Sequence, residues 1–409
     1  MPTDKNNLLK KILLTEKKVQ KVYQRVNPSL YPASQEKKNF IKTSKLLKNL
    51  FFNYLKIPIE FLENKTMLEF GSGTGEFSIS YLLWKMKTYH VELNPLAIKK
   101  CKSYFKKFSK SKKYKIYNKS IFTFRSKKKY DFVSSIGVIH HTDYKKAFNI
   151  KSSFLKKNGF MMLGIGNAAG MFQRNLQRYI IYYLSNNNEK KMYKLTKYLF
   201  PQFLRRAQKY GRRTLDSIIY DTFINPKDNH PTTKELLNLA RKNKLSLYSS
   251  WPPITPTFLS DSAQRYKVGI ENYDNVLSMN DIFGLIHRED DQKKLNLINN
   301  KISKSVNNIN MLTNTINNIG SKKLPTLSNL NKCVKLIKEG EIKQLRFLDS
   351  VKDTITKKDF LDFQNELTIL IFILKKKNIK MLKNFLKKTK ILFKGNSGIG
   401  MNYYMFHKN

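Results

Sequence analysis

The stretch Met67-Leu68-Glu69-Phe70-Gly71-Ser72-Gly73-Thr74-Gly75-Glu76-Phe77 decides the fold, because an apolar run of strand length passes into glycines at alternate positions that open a helix. Backbone N–H groups at such a turn and at the helix N-terminus receive the anionic end of a nucleotide-like cofactor, and glycines let that ligand approach closely. A cofactor site near residue 70 is therefore expected. The dinucleotide fingerprint needs a third small residue where this chain carries Glu76, which disfavours a dinucleotide. Further on, His90-Val91-Glu92-Leu93 ends a second apolar run on Glu92, about 20 residues after the first glycine, where a carboxylate accepts hydrogen bonds from both hydroxyls of a ribose.

From Lys65 onward, strands alternate with helices, the grammar of a parallel sheet with crossovers. The expected strands are Thr66 to Phe70, Thr88 to Leu93, Tyr114 to Tyr117, Tyr130 to Ile136 and Phe160 to Ile165, with helices over Gly75 to Lys85 and Pro95 to Phe108. A helix at Lys234 to Asn243 leads to a sixth strand over Leu245 to Ser250, which Pro252, Pro253 and Pro256 terminate. Four parts follow: a helical N-terminal cap over 1–60, broken at Asn27-Pro28 and Tyr31-Pro32; a cofactor-binding domain over 61–255 with a helical insertion at about 168–223; a helical, Lys- and Asn-rich segment over 256–397; and a last strand over 398–409 that returns to the sheet. The insertion, with Arg174, Arg178, Tyr179, Tyr182 and Tyr183, reads either as a basic helix pair beside the sheet or as a lid over a substrate. Heptad-like spacing at Leu295, Ile298, Ile302, Val306, Ile309 and Leu312 suggests antiparallel helices, and Met381 to Phe393 reads either as core packing or as a membrane-surface helix.

At 409 residues with 41% apolar content the chain can bury a large core. Its 78 Lys and Arg against 29 Asp and Glu give a formal charge of +49, which points to a polyanionic partner such as nucleic acid or an acidic membrane surface. Lys, Asn and Ile are enriched together along the whole chain, however, as a compositional bias on a solvated surface also produces. Two cysteines, Cys101 and Cys333, make neither a disulfide framework nor a metal knuckle. Lysines interrupt the apolar residues near the N-terminus, and no apolar run approaches the ~20 residues of a membrane span, so a soluble, cytoplasmic protein is expected.

Glu69-Phe70-Gly71-Ser72-Gly73-Thr74-Gly75 resembles motif I of the class I S-adenosylmethionine-dependent methyltransferases, and the resemblance extends over residues 65 to 167. It implies an α/β fold: a doubly wound, Rossmann-like, mostly parallel seven-stranded sheet with an antiparallel last strand. The implied cofactor is S-adenosyl-L-methionine, held by Glu69, Gly71, Ser72, Gly73 and Gly75 of the turn, by Glu92 and Leu93 at the ribose, by Ser120 and Ile121 beside adenine, and by Ser135 of the fourth strand. The family often carries Asp at the position of Ser120, and that departure removes a contact to the adenine amine. Ser135-Ile136-Gly137-Val138-Ile139-His140-His141-Thr142 looks like the fourth strand and loop of a bacterial branch with Val-Leu-His-His-Thr.

Methyl transfer from a sulfonium proceeds by in-line displacement, so a base is needed only where the acceptor must lose a proton. His140 or His141 supplies that base, or else holds the loop or touches the cofactor. Asn167, Tyr220, Asp221 and His230 are further candidates for substrate contact. No spaced His and carboxylate cluster accompanies His140 in the sequence, so no metal is expected. Absence of Asn-Pro-Pro-Tyr after the fourth strand disfavours the exocyclic-amine type, and neither cysteine lies where covalent attack on a pyrimidine needs one. The expected reaction is methylation of oxygen or nitrogen on a small or lipid-linked acceptor. Its alternatives are an RNA-modifying methyltransferase and a cofactor-binding scaffold without turnover.

Overall fold

Seven strands, β1 (Thr66–Phe70), β2 (Lys87–Glu92), β3 (Tyr114–Asn118), β4 (Tyr130–Ile136), β5 (Leu155–Gly166), β6 (Leu245–Trp251) and β7 (Met401–Lys408), form one sheet in a computed structural model of the chain. The structure describes residues 2–26, 44–109, 111–211, 213–254, 306–317, 326–336, 354–394 and 401–409. Strand order is β3-β2-β1-β4-β5-β7-β6, with β1 to β5 pairing in parallel and β7 running antiparallel to both β5 and β6. The chain moves outward from β1 through β2 to β3 and returns to β4 on the other side of β1. A crevice therefore opens at the carboxyl ends of β1 and β4, where such sheets bind ligands.

Period-two alternation sorts the strand side chains onto two covered faces. Leu68, Phe70, Val133, Leu163 and Phe406 share one core with Phe148 and Leu236 of the helices Tyr144–Ser153 and Thr233–Lys242. Met67, Phe132, Met162 and Met405 face Phe51, Tyr81 and Trp84 on the other side. Both faces being dry, the strands read as continuous apolar runs rather than as alternating ones. Glu69 is a carboxylate among these buried strand residues, in β1 at 3% exposure. Its carboxylate meets His90 Nδ1 at 2.9 Å, from the register partner on β2, and accepts from Ser78 Oγ.

The helix expected from Gly75 begins three residues later, over Ser78–Leu83. Gly75 has φ +89°, outside the helical region, and a Cβ there would stand 2.8 Å from Cys101 Sγ, so the turn must close before the helix starts. β5 begins at Leu155 rather than Phe160, with its pairing irregular between Tyr130 and Phe132.

A third core joins the insertion to the C-terminal helices. Phe172, Leu176 and Ile180 of Phe172–Ser185 pack with Phe363, Leu367 and Leu370 of Thr354–Lys375, and Leu382, Ile391 and Leu392 are buried in the same cluster. Of the two readings of Met381 to Phe393, core packing describes these contacts. Glu366 fixes the turn that follows by accepting hydrogen bonds from the backbone N–H groups of Lys390, Ile391 and Leu392. The expected breaks at Pro28 and Pro32, the stop at Pro256, the heptad positions Leu295, Ile298 and Ile302, and Gly398 to Gly400 lie outside the described residues. Among those described, no helix is long and apolar enough to cross a membrane.

Candidate active site

Beneath the crevice, Gly71 and Gly73 take φ values of +76° and +54°, in the region that favours glycine, and a Cβ on Gly71 would lie 2.3 Å from a Val138 methyl carbon. The turn thus brings bare backbone to the carboxyl end of β1. Glu92 reaches it from the end of β2: Gly73 N–H donates to Glu92 Oε2 at 2.9 Å and Asn94 N–H donates to Oε1 at 2.8 Å. Each carboxylate oxygen is oriented by one backbone donor and keeps a lone pair for a ligand hydroxyl. Burial raises the Glu92 carboxyl above its usual range, and the two N–H donors partly counter that. Next to the turn lies a cavity of about 410 Å³, within the usual range for small-molecule sites.

Residues of this first half that the structure brings to the cavity are Gly71, Ser72, Gly73, Glu92, Leu93 and Ile121. Glu69, Gly75, Ser120 and Ser135 do not line it. Glu69 points instead into the buried pair with His90, Gly75 packs on Cys101, and the buried Ser135 lies within β4. The Ser120 hydroxyl donates to Glu16 and receives the N–H of Phe122. Glu16 lines the cavity from the helix Pro2–Val26, and burial pushes its carboxyl up to about 7. That helix, read from sequence as a cap, forms a wall: Gln20 donates to the Leu93 carbonyl at 3.0 Å and the Tyr23 hydroxyl donates to Asp221 at 3.0 Å.

The second half gathers around the single turn Ile139–His141 that follows β4. His140 and His141 stand with ring centroids 4.1 Å apart and both line the cavity. Between them and the insertion lie two carboxylates. Asp228 Oδ1 is 3.2 Å from His230 Nε2, 3.8 Å from His141 Nδ1 and 4.0 Å from His140 Nε2, and Asp221 Oδ1 is 3.8 Å from His141 Nε2. Burial, with His141 adding to it, drives His140 well below the usual histidine range, so its ring is neutral. Burial disfavours the Asp221 charge, but the Arg213 guanidinium 2.9 Å away and His141 together outweigh it and hold the carboxyl below its usual value.

The expectation that no histidine and carboxylate cluster accompanies His140 is overturned here, since ligand atoms of His140, His141 and Asp228 all lie within 4.8 Å of one another. Asp228 arrives from the loop that follows the insertion, a distance along the chain that no local spacing reveals. The arginines Arg174, Arg178 and Arg213 surround the same group and make it a poor host for a divalent cation.

Residues 43–218 match a family model described as a methyltransferase domain. This stretch is a methyltransferase domain. Solved structures similar to the chain include PKMT2 from Rickettsia typhi in complex with AdoHcy, with 19% sequence identity over 50% of this chain and 43% of that chain at a TM-score of 0.37. Another is magnesium protoporphyrin IX methyltransferase (ChlM) from Synechocystis PCC 6803 with bound SAM, with 12% identity over 31% of this chain and 58% of that chain at a TM-score of 0.26. The present chain thus spans less than half the length of PKMT2, and overlaps this partial carry no statement about an acceptor. No curated protein matches the chain.

In the methyltransferase domain, Asp221 comes to the cavity, whereas the other three substrate candidates do not. Asn167 is buried and accepts the N–H groups of Ala169 and Gly170, closing the turn after β5. The Tyr220 hydroxyl donates to Glu189 under the Arg25 guanidinium. His230 packs behind His140 and borders a neighbouring hollow of about 560 Å³. Sequence reading missed Glu16, Tyr23, Arg174, Arg213 and Asp228 as site residues, supplied by the N-terminal helix, the insertion and the loop that follows it. An Arg-rich insertion at the carboxyl end of β5 was the one available signal.

Proposed function

We propose that the protein is an S-adenosylmethionine-dependent methyltransferase that methylates oxygen or nitrogen on a small or lipid-linked acceptor, with His141 as the base. The observation that carries this reading is the hydrogen bonding of His141. Two groups meet His141 Nδ1, the Lys227 carbonyl at 2.9 Å, which can only accept, and the Asn225 amide nitrogen at 3.2 Å; the shorter contact favours a hydrogen on Nδ1, which leaves the lone pair of the neutral ring on Nε2. Asp221, 3.8 Å from Nε2, stabilises the imidazolium that forms when the acceptor proton arrives.

The turn at Gly71 and Gly73 and the carboxylate of Glu92 fit the cofactor: a turn of bare backbone, held against Val138 so closely that Gly71 has no room for a Cβ, and two oriented acceptor oxygens for ribose hydroxyls. Bound S-adenosylmethionine supplies a methyl group on a sulfonium. Glu92 and the turn orient it, Tyr23 and the insertion wall exclude water, and His141 receives the acceptor's proton. A cavity of about 410 Å³, walled by the N-terminal helix, the loops after β1, β2 and β4, the insertion and the start of β7, favours a small molecule or the head of a lipid over a folded macromolecule.

The test is incubation of the full chain with radiolabelled S-adenosylmethionine and a cell extract separated into RNA, protein, lipid and small-metabolite fractions. Label is expected in the lipid or small-metabolite fraction. Label confined to RNA would replace this reading with an RNA-modifying one, and cofactor binding without label in any fraction would leave a scaffold.

A further inference from the structure

Arg174 sits in the first turn of the helix Phe172–Ser185 and lines the cavity beside His140, Asp221 and Asp228. Two of the three arginines around that group have carboxylates: Arg213 stands 2.9 Å from Asp221, and Arg178 stands 3.7 Å from Asp228. Arg178 also donates to the Asn225 carbonyl and lies over the Tyr182 ring. Arg174 has neither a carboxylate nor a carbonyl partner. Among the described residues it makes no hydrogen bond and no ion pair, its Nε is buried without an acceptor, and its guanidinium stands 6.0 Å from the Phe203 ring centroid. Burial works against its charge, and the two aspartates only partly offset that.

With His140 neutral, Arg174, Arg178 and Arg213 exceed Asp221 and Asp228 by one positive charge in this half of the cavity. A half-buried guanidinium that faces a cavity without a paired carboxylate is costly, and the planar fork of Arg matches a carboxylate or a phosphate. We propose that the acceptor is an anion, carrying a carboxylate or phosphate group that is not itself methylated, and that Arg174 receives that group. This rests on the methyl-transfer reading above, which puts the histidine side of the cavity against the acceptor. A charged group held at Arg174 restores neutrality and sets the reacting oxygen or nitrogen next to His141.

Radiolabelled S-adenosylmethionine is the probe. The full chain is incubated with it and a small-metabolite extract, and the products are passed over an anion exchanger. Label is expected in the retained fraction. Phosphatase treatment distinguishes the two sources: loss of retention identifies a phosphate, and persistent retention a carboxylate. Label emerging only as a neutral or cationic product overturns the inference while leaving methyl transfer intact, whereas no label in any fraction overturns methyl transfer itself and the inference with it. With the retained fraction as acceptor, Arg174→Gln is expected to raise the half-saturating acceptor concentration roughly 10- to 100-fold, and Arg174→Lys to recover part of that loss. S-adenosylhomocysteine affinity should stay within about twofold in both variants. Weakened S-adenosylhomocysteine binding with unchanged acceptor saturation would assign Arg174 to the cofactor's own carboxylate and overturn the proposal.

Discussion

The two halves of the cavity are built in opposite ways. On the cofactor side, backbone does the work: glycines with positive φ, N–H groups aimed at Glu92, and one carboxylate from the adjacent strand. On the acceptor side, side chains do it: histidines, aspartates and arginines from the loop after β4, the insertion and the N-terminal helix. A backbone cradle recognises a constant ligand and tolerates few sequences. A side-chain wall on inserted helices can be rebuilt for a different acceptor while the sheet stays as it is.

If the halves are independent, a lesion in one must spare the other. His141→Gln removes the base without touching the turn, so turnover should fall about 10²- to 10⁴-fold while S-adenosylhomocysteine affinity, read by calorimetry, stays within about twofold. A parallel loss of affinity would show that the halves are coupled through the loop after β4.

The scaffold offers a control for Arg174, because Lys151 is a buried cation whose Nζ lacks a hydrogen-bond partner among the described residues, but it lies away from this cavity. Burial lowers its amine from 10.5 to about 7. Below that pH the folded chain bears the full cost of the buried charge. Between about 7 and 10.5 the unfolded chain binds more protons than the folded one, so stability rises with pH across that window. Lys151→Met should lack this rise and be more stable at pH 6 by about 5 kcal/mol in denaturant unfolding, with turnover unchanged. Arg174→Gln should also stabilise, but at the expense of acceptor saturation. Equal loss of turnover in the two variants would remove the distinction drawn between them.

The smallest expected effect concerns Glu16, the side-chain contribution to the cofactor half. Its carboxyl, raised by burial from 4.5 to about 7 despite the Ser120 hydroxyl, holds more protons folded than unfolded between those values. Stability should therefore fall as pH rises through that window. Glu16→Gln keeps an acceptor for Ser120 and should be more stable than the natural chain by about 2 kcal/mol at pH 8 and equal to it near pH 4. Melting curves at the two pH values check this.

The same contrast explains what the sequence made legible. Strand, glycine turn and Glu92 lie within 27 residues of one another, and adjacent parallel strands must set them side by side, so their chemistry could be read from spacing. Glu69 was misplaced because spacing says nothing of which way a buried strand side chain points, and His90 across the register claims it. The seven-stranded sheet with its antiparallel last strand followed from the resemblance and matches the observed order. Asp228, by contrast, meets His141 from 87 positions away, and Glu16 meets Ser120 from 104. Such contacts depend on how helices pack, and no local pattern of Lys, Asn and Ile encodes that.

On the proposed reading, Glu92 and the glycine turn hold the cofactor independently of the acceptor wall. Calorimetric titration of S-adenosylhomocysteine into the natural chain, Glu92→Ala and Arg174→Gln separates the two. Binding should weaken roughly 100-fold in Glu92→Ala, from the loss of two hydrogen bonds to a charged group, and stay unchanged in Arg174→Gln. Undiminished affinity in Glu92→Ala would contradict that reading.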